Sequence, residues 1–310
     1  MKSYLVTGGC GFIGSHLVDS LLMSGHKVRV LDDLSTGKLE NVPDECDVVI
    51  GDIVNSELVH ESMNGMDGCF HLAAVASVQQ SNENWFRTHQ VNQTGTINVL
   101  DASRKNKTPV IYASSAAVYG DSAEIPLKES SRLRPLTAYG ADKLGSEHQA
   151  LVASLVHGVP TIGLRFFNVY GPRQNPDSPY TGVISIFVDR ILREEPIVIY
   201  GDGEQTRDFI FVEDVVRVLR SSMNNISRNS NVFNVCTGTS ITINQLAKTI
   251  MSITGISVPL SYKTSRKGDI RISVGDTTYT KQKLAIKNNQ SLVYGLRELI
   301  ETYNHELLMS

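Results

Sequence analysis

A tyrosine and a lysine four residues apart, Tyr139 and Lys143, are the side chains in this sequence best placed to do chemistry together. On a helix this spacing puts both side chains on one face, one turn apart. An ammonium held near a phenol favours the phenolate, so we expect the pKa of Tyr139 to fall from about 10 towards neutral pH. Such a tyrosine can accept a proton from an alcohol hydroxyl. The same spacing also fits an ordinary contact on a helix surface, so the rest of the chain must decide.

The N-terminal segment predicts a binding site for a dinucleotide. Gly8, Gly11 and Gly14 form the pattern G-x-x-G-x-x-G between an apolar run and the helix that follows it, which begins with Phe12 and Ile13. Glycines at these positions allow a tight turn and let a pyrophosphate approach the helix N-terminus. The alternative is a purely structural glycine turn.

Three further strand ends support the dinucleotide interpretation. Asp32 ends the second apolar run, where its carboxylate would accept hydrogen bonds from the adenosine ribose and repel a 2′-phosphate, which favours NAD over NADP. Asp52, followed by Ile53, could bind the adenine amine, although a simple turn aspartate has the same pattern. After His71 the strand end carries Leu72, Ala73 and Ala74, whose small side chains would let the backbone approach the cofactor. His71 itself is expected to be packed rather than catalytic.

Composition limits the classes of protein that need to be considered. The 310 residues are 41% hydrophobic and 20% charged, which is enough for one or two domains with a large core. The net charge of −3 gives no basic field for nucleic acid, and the four scattered cysteines have no metal-ligand spacing. No apolar run reaches the roughly 18 residues that span a bilayer. Because only three residues precede the first apolar run, which leaves no room for a signal peptide, we expect a cytoplasmic protein without metal or membrane insertion.

Alternating strands and helices in the first half predict an α/β fold. Apolar runs at 4–6, 27–31, 48–50, 69–72, 109–113 and 161–166 alternate with amphipathic stretches, among them predicted helices at 12–24, near 84–105 and around Tyr139. This alternation is typical of a Rossmann-type doubly wound parallel sheet. We predict an NAD-binding domain at 1–170, to which the chain returns around 206–236. Residues 171–205 and 237–310 would form a smaller α/β domain that binds substrate.

Nine ordered motifs give the chain a strong resemblance to extended short-chain dehydrogenases/reductases, and within them to UDP-sugar 4-epimerases. The motifs are TGGCGFIG at 7–14, DDLSTG at 32–37, GDI at 51–53, HLAA at 71–74, VNQTGT at 91–96, SSAAVYG at 114–120, YGADK at 139–143, RFFNVYGPR at 165–173 and GDGEQTRDFIFVEDV at 201–215.

This resemblance implies roles for individual residues. Ser115 would hold the sugar 4-hydroxyl and share its proton with Tyr139, the base. Lys143 would bind the nicotinamide ribose and keep Tyr139 anionic. Of the adjacent serines Ser114 and Ser115, only one can face the pocket. The resemblance also implies that the cofactor site includes Asp33, Ser35, Thr36, Gly37, Asn92, Ser114 and Phe166.

The resemblance assigns the nucleotide diphosphate to the second domain. Asn168, Arg207 and Arg266 would contact UDP, since guanidinium groups suit a pyrophosphate, and Tyr200 would lie against the uracil. Either arginine could instead form a surface salt bridge. The implied substrate site further includes Ala116, Val183, Asp269 and Ser273.

The residues after Ser115 point to the reaction. Related dehydratases and decarboxylases carry an acid there, whereas this chain has Ala116 and Ala117, so the resemblance implies 4-epimerisation with tightly bound NAD that is regenerated in each cycle. The small Ser273 would leave room for a 2-acetamido group, so UDP-GlcNAc/UDP-GalNAc stand beside UDP-Glc/UDP-Gal. Asn175 lacks the basic group expected for a uronate. UDP-glucuronate 4-epimerase, a nucleotide-sugar dehydratase or reductase, and a non-enzymatic NAD-binding regulatory protein remain alternatives.

Helices near 84–105 and 139–156 resemble the pair that forms the four-helix dimer interface of the family, so we expect a homodimer. The same pattern would also arise from packing within one chain.

Overall fold

A computed structural model describes residues 1–175, 182–227, 229–265, 270–286 and 289–309, with the backbone alone at 305–309. Across these residues, no helix is both long and apolar enough to cross a membrane.

The strands fall into one large sheet and two small ones. In chain order they are β1 (Ser3–Thr7), β2 (Lys27–Asp32), β3 (Asp47–Ile50), β4 (Gly68–His71), β5 (Val110–Ser115), β6 (Thr161–Phe166), β7 (Asn168–Tyr170), β8 (Ile197–Tyr200), β9 (Thr206–Phe211), β10 (Asn231–Val235), β11 (Ser240–Thr242) and β12 (Leu260–Lys263).

The helices lie on both faces of the large sheet and in the second half of the chain. They are α1 (Phe12–Met23), α2 (Ser56–Met63), α3 (Val78–Glu83), α4 (Trp85–His89), α5 (Gly95–Ser103), α6 (Ala138–His157), α7 (Val183–Leu192), α8 (Val212–Asn224), α9 (Ile243–Thr254), α10 (Thr278–Leu284) and α11 (Leu292–Met309). A π-helical turn, Gln90–Thr94, joins α4 to α5, and a 3₁₀ turn, Ala116–Val118, follows β5.

The large sheet has seven parallel strands in the order β10-β6-β5-β4-β1-β2-β3. On one face, side chains of α1 and α8 such as Leu17 and Leu219 join a buried cluster with the sheet. On the other face, side chains of α5 and α6 such as Val99 and Ala150 do the same. Helices therefore cover both faces, and the prediction of a doubly wound Rossmann-type sheet is confirmed.

The second half of the chain builds its own core. A three-stranded sheet, β11-β9-β7, and the pair β12-β8 pack with α7, α9 and α11 around side chains that include Phe187, Leu246 and Leu299. β10 returns to the large sheet by pairing with β6, whereas β9 belongs to the three-stranded sheet. The division into domains at residue 170 stays a prediction.

Strand and helix ends follow local signals where these exist. Thr242 caps α9 through a reciprocal pair of hydrogen bonds with Gln245. Glycine in the left-handed conformation ends α6 at Gly158, where the backbone N–H bonds back to the helix. The predicted helix at 84–105 is interrupted by the π-helical turn, and α2 and α8 were not predicted.

Candidate active site

The cleft that collects the predicted residues lies at the carboxyl ends of β1, β2, β4, β5 and β6 and has a volume of about 1370 Å³. Residues from the second half of the chain also line it, among them Asp189 on α7, Arg207 on β9 and Tyr303 on α11. This is the edge of a parallel sheet at which ligands usually bind.

Most of the predicted site residues line this cleft. They are Gly8, Gly11, Phe12, Ile13, Gly14, Asp32, Asp33, Ser35, Thr36, Asp52, Ile53, Leu72, Ala73, Ala74, Ser114, Ser115, Ala116, Tyr139, Lys143, Phe166, Asn168, Arg207 and Ser273. Gly37, Asn92, Val183 and Tyr200 are not among the lining residues. Arg266 and Asp269 lie outside the described residues.

The glycine loop has room for a phosphate at one glycine and for backbone packing at the other two. A Cβ on Gly14 would stand 2.0 Å from the carbonyl oxygen of Gly8, and a Cβ on Gly8, whose φ is +71°, would stand 2.7 Å from the backbone nitrogen of Ala73. A Cβ on Gly11, the residue before α1, would meet only the Gly8 oxygen, at 3.3 Å. Gly11 thus leaves open space before the helix N-terminus, which suits the pyrophosphate of NAD.

Asp32 is held in place by backbone amides. Its Oδ2 accepts a hydrogen bond from the Cys10 N–H and its Oδ1 from the Leu34 N–H, both at 2.9 Å. Burial raises the pKa of Asp32, and these two hydrogen bonds oppose the rise. Each oxygen keeps a free lone pair that can accept from a ribose hydroxyl. Gly37 packs behind this carboxylate, because a Cβ there would lie 3.0 Å from Asp32 Oδ1.

Asp52 has a partner that the sequence did not reveal. Arg87 on α4 donates to Asp52 Oδ2 at 2.5 Å, and both residues line the cleft. The two positions are 35 residues apart, with no motif joining them, so only the folded chain brings them together.

The turn after β5 and the start of α6 bring the proposed catalytic groups together. Ser115 caps the 3₁₀ turn by accepting a hydrogen bond from the Ala117 N–H at 3.1 Å. Thr137 caps α6 through the Gly140 N–H, also at 3.1 Å, which puts Tyr139 in the first turn of that helix. A Cβ on Gly140 would stand 2.7 Å from the Ala117 carbonyl oxygen, so glycine permits this close approach of helix and turn.

The pKa of Tyr139 is raised, whereas the sequence predicted that it would be lowered. Burial raises the pKa of Tyr139, and a hydrogen bond with Ser115 opposes the rise. The Lys143 ammonium lies 5.8 Å from the centre of the tyrosine ring. Burial lowers the pKa of Lys143 to about 8, with Asp142 opposing the change. The predicted fall of the Tyr139 pKa is therefore wrong for the protein alone, because loss of solvent disfavours the charged form of both groups.

The two adjacent serines point to different partners. Ser114 is buried, and its hydroxyl donates to Glu147 Oε1 at 2.5 Å. Ser115 is the serine that faces Tyr139.

Two residues of the central motifs support the site from behind. His71 bonds to Thr7 at 2.8 Å and to Thr96 at 3.0 Å, and burial together with Lys143 lowers its pKa to about 3, so it is a neutral packed residue as expected. Asn92 is buried, and its amide pairs with both backbone groups of Val75. It thereby fixes the loop after β4.

The substrate wall contains predicted and unpredicted residues. Arg207 donates to the Ile270 carbonyl at 2.7 Å, while Tyr200 sits at the end of β8, where its carbonyl accepts from Gln205. Side chains that line the cleft but were not predicted include Lys38, Asn41, Arg173, Gln174, Asp189, Arg193 and Tyr303. Arg173 ends the motif at 165–173 and Gln174 follows it directly, and this motif is the sequence signal that could have drawn attention to both residues.

Comparison with known proteins identifies the class. A sequence profile of the NAD dependent epimerase/dehydratase family matches residues 4–236, and the chain belongs to this family. It is 36% identical to a putative UDP-glucose 4-epimerase of Methanocaldococcus jannaschii over 86% of this chain and 87% of that protein. A UDP-N-acetyl-alpha-D-glucosaminuronate decarboxylase of Bacillus cytotoxicus is 32% identical over 97% of this chain and 98% of that protein.

Solved structures agree with this class. A UDP-glucose 4-epimerase of Thermotoga maritima with UDP-glucose superimposes with a TM-score of 0.94 at 38% identity, covering 98% of this chain and 99% of that one. A UDP-N-acetylglucosamine 4-epimerase of Methanobrevibacter ruminantium, in complex with UDP-N-acetylmuramic acid, gives 0.94 at 36% identity with the same coverage. A Thermus thermophilus UDP-glucose 4-epimerase complex with NAD gives 0.90 at 32% identity, covering 97% and 99%. NAD is the cofactor of this family.

The buried ammonium of Lys143 predicts a measurable cost in stability. Since its pKa is lowered from 10.5 to about 8, the cost is complete below pH 8 and fades between pH 8 and 10.5, where the unfolded chain still holds the proton that the native state has lost. Lys143→Met should therefore make the NAD-free protein more stable at pH 7, by on the order of 3 kcal/mol, and the difference should shrink at pH 10. Urea unfolding measures both values. The exposed Lys128→Met serves as control, and an equal effect of both substitutions at both pH values would contradict the assignment.

Proposed function

We propose that the protein catalyses 4-epimerisation of a UDP-hexose. One observation carries the proposal: Ser115, Tyr139 and Lys143 share one cleft with the glycine loop, and the turn after Ser115 presents only alanines, Ala116 and Ala117. Together these groups can take a proton from, and return it to, the hydroxyl on one carbon of the sugar. Elimination or decarboxylation would call for a further proton-transfer group at this turn.

Tyr139, Ser115 and Lys143 each have a separate role in the proposed reaction. Tyr139 takes the proton of the C4 hydroxyl, and Ser115 holds that hydroxyl against the phenol. Lys143 binds the nicotinamide ribose and stabilises the phenolate, and its charge acts strongly because it lies in a dry environment. NAD, held by the glycine loop, Asp32 and Lys143, would supply the hydride acceptor for oxidation at C4 and the hydride donor for re-reduction on the opposite face of the 4-keto sugar.

The substrate wall supports a sugar with or without an N-acetyl group. Ser273 lines the cleft, and its side chain is small, which leaves space beside the sugar. Asn168 and Arg207 line the same wall and would hold the UDP moiety. We therefore propose UDP-GlcNAc/UDP-GalNAc beside UDP-Glc/UDP-Gal as substrates. The 4-epimerases among the structural relatives include one that acts on UDP-N-acetylglucosamine and one crystallised with UDP-glucose.

UDP-glucuronate is the main alternative substrate. Arg173 lines the cleft and could meet a carboxylate, but its guanidinium already pairs with Asp19 at 2.8 Å. The neighbouring Asn175 carries no positive charge. This arrangement favours a neutral hexose over a uronate.

A substrate panel tests the proposed reaction. The purified protein, without added NAD, should interconvert the two 4-epimers of UDP-GlcNAc or UDP-Glc, separated by anion exchange, and release no CO₂ from UDP-GlcA. Tyr139→Phe should lower kcat on the order of a thousandfold, because the base is lost. Turnover of UDP-GlcA alone would reject the proposed sugar class. NAD binding with no turnover of any sugar would favour the regulatory alternative.

The small side chain at position 273 predicts specificity. Ser273→Tyr should lower kcat/KM for UDP-GlcNAc at least about tenfold more than for UDP-Glc, because the added ring would fill the space of the acetamido group. Ser273→Ala, which keeps the space, is the matched control and should leave the ratio unchanged. An equal loss for both sugars in Ser273→Tyr would place the 2-substituent elsewhere.

We also propose that the protein is a homodimer that pairs through α6 and α4. The outer face of α6 exposes Leu151, Val152, Leu155 and Val156 by 45%, 46%, 76% and 69%. Their spacing of one and four residues makes a continuous apolar stripe. Trp85 and Phe86 on α4 are exposed by 68% and 76%. Apolar surface of this extent on helices that pack together in one chain suits a second copy with the same surface.

Breaking this stripe should produce monomers. Leu155→Glu introduces a charge into the stripe and should halve the mass in solution measured by light scattering. Val293→Glu places the same charge on α11, at a residue exposed by 41%, and should leave the mass unchanged. A wild-type mass equal to one chain, or a dimer that survives Leu155→Glu, would contradict this interface.

A further inference from the structure

A buried ion pair stands directly behind the catalytic groups. Arg165 on β6 donates to both carboxylate oxygens of Glu147 on α6, from Nε at 2.9 Å and from Nη2 at 2.7 Å. The two side chains are exposed by 4% and 5%. Glu147 also accepts the hydroxyl of Ser114, the neighbour of Ser115. The pair thus connects the helix that carries Tyr139 and Lys143 to the strand that carries Ser115.

The same guanidinium reaches a third element. Its Nη1 donates to the Tyr119 hydroxyl at 2.9 Å and to the Glu129 carbonyl at 3.0 Å. Tyr119 follows the 3₁₀ turn that begins at Ala116, and its hydroxyl donates to Asn234 on β10 at 2.6 Å. Arg165 is therefore connected to both sides of the turn that presents Ser115, directly through Tyr119 and indirectly through Glu147, which accepts from Ser114.

The position of Glu147 on α6 creates a competing interaction. Glu147 follows Lys143 by four residues, so both side chains lie on the same buried face of the helix, one turn apart. A carboxylate at this spacing can pair with the ammonium. In the structure it does not: the ion pair of Glu147 is with Arg165.

We propose that Arg165 is a positioning residue of the active site. It binds both oxygens of the Glu147 carboxylate, so that this carboxylate does not form an ion pair with the Lys143 ammonium. It also holds β5 and α6 in register at Ser115 and Tyr139. The proposal rests on the proposed function, in which Lys143 supports the base. Its physical basis is that the two parallel N–H groups of a guanidinium fix a carboxylate in orientation, which a single ammonium does not.

The other charged and titratable groups around this pair are not alternatives to Glu147 as a partner for Lys143. Asp142 precedes Lys143 and pairs with His89 at 2.8 Å, on another face of the helix. His71 on β4 is neutral because its pKa is lowered to about 3, and burial keeps Tyr112 on β5 neutral by raising its pKa. Tyr139 has no negative charge until it acts as base. Glu147 is thus the carboxylate on this face of α6 that Lys143 would meet if Arg165 released it.

The test measures the ionisation of Lys143 directly. Trace acetylation of the full-length protein, freed of NAD, is followed across pH by peptide mass spectrometry, with the exposed Lys128 as internal reference. In Arg165→Met the freed carboxylate should stabilise the ammonium and raise the labelling midpoint of Lys143 by about one pH unit. In Glu147→Gln/Arg165→Met the carboxylate is gone, and the midpoint should return to the wild-type value. This double variant also removes the risk of an unpaired buried charge.

Activity separates positioning from simple loss of stability. With a sugar from the panel, Arg165→Met should lower kcat at least about tenfold with little change in KM and shift the pH–rate profile to higher pH, and the double variant should restore the profile. Thr161→Val is the matched control: Thr161 on the same strand bonds to the Ala150 carbonyl of the same helix at 3.3 Å, so its loss should lower stability but not move the profile.

The outcomes are distinct. If Arg165→Met does not fold, Arg165→Lys, which can hold one oxygen at a time, should give a smaller shift of the same sign. The proposal is overturned if the labelling midpoint of Lys143 is unchanged in both Arg165→Met and Arg165→Lys. It is also overturned if the shift persists in Glu147→Gln/Arg165→Met. If Lys143 shifts as expected while no UDP-sugar is converted, the proposed function fails and the assignment of Arg165 to Lys143 stands.

Discussion

The contact between the first turn of α6 and the turn after β5 determines where the candidate catalytic groups lie. Gly140 allows the helix to start against the Ala117 carbonyl, at a distance that would exclude any side chain. Thr137 and Ser115 then use their hydroxyls to cap the two elements at this contact. If helix and turn were separated by the width of one methyl group, Tyr139 and Ser115 would no longer reach a common hydroxyl, and the rest of the cleft would have no chemical centre.

This contact also explains why so many polar groups are buried around it. Lys143, Asp142, Glu147 and Arg165 are all buried, which costs free energy unless each charge has a partner. Glu147 and Arg165 satisfy each other, and Asp142 bonds to His89 through one oxygen, while its second oxygen has no hydrogen-bond partner within the described part of the chain. Lys143 keeps a lowered pKa instead of an ion pair on its own helix face. An ammonium that forms no ion pair with the described residues is the form that can serve a phenolate and a ribose.

Much of this site follows from sequence because its parts are local. Glycine spacing, the aspartate at the end of β2 and the four-residue interval from Tyr139 to Lys143 are each set within one strand, turn or helix, so pattern and chemistry were sufficient. Long-range pairs such as Arg87 with Asp52 and Arg165 with Glu147 have no such signal, because topology alone makes them neighbours. The direction of the Tyr139 pKa was missed for the same reason, since burial depends on everything packed around the phenol. Tyr200 was expected at the nucleotide but does not line the cleft.

Two parts of α6 link the proposed chemistry to the proposed assembly. The first half of the helix carries Lys143 and Glu147 into the protein, and its C-terminal half exposes the apolar stripe that includes Leu155. A helix exposed to water along such a stripe can tilt or fray at little cost, whereas a partner helix packed on it would hold its axis. Because Tyr139 must stay within hydrogen-bond reach of a substrate hydroxyl, small movements of that axis matter at its first turn. Dimerisation through this face would thus stabilise the same helix that Arg165 fixes from inside.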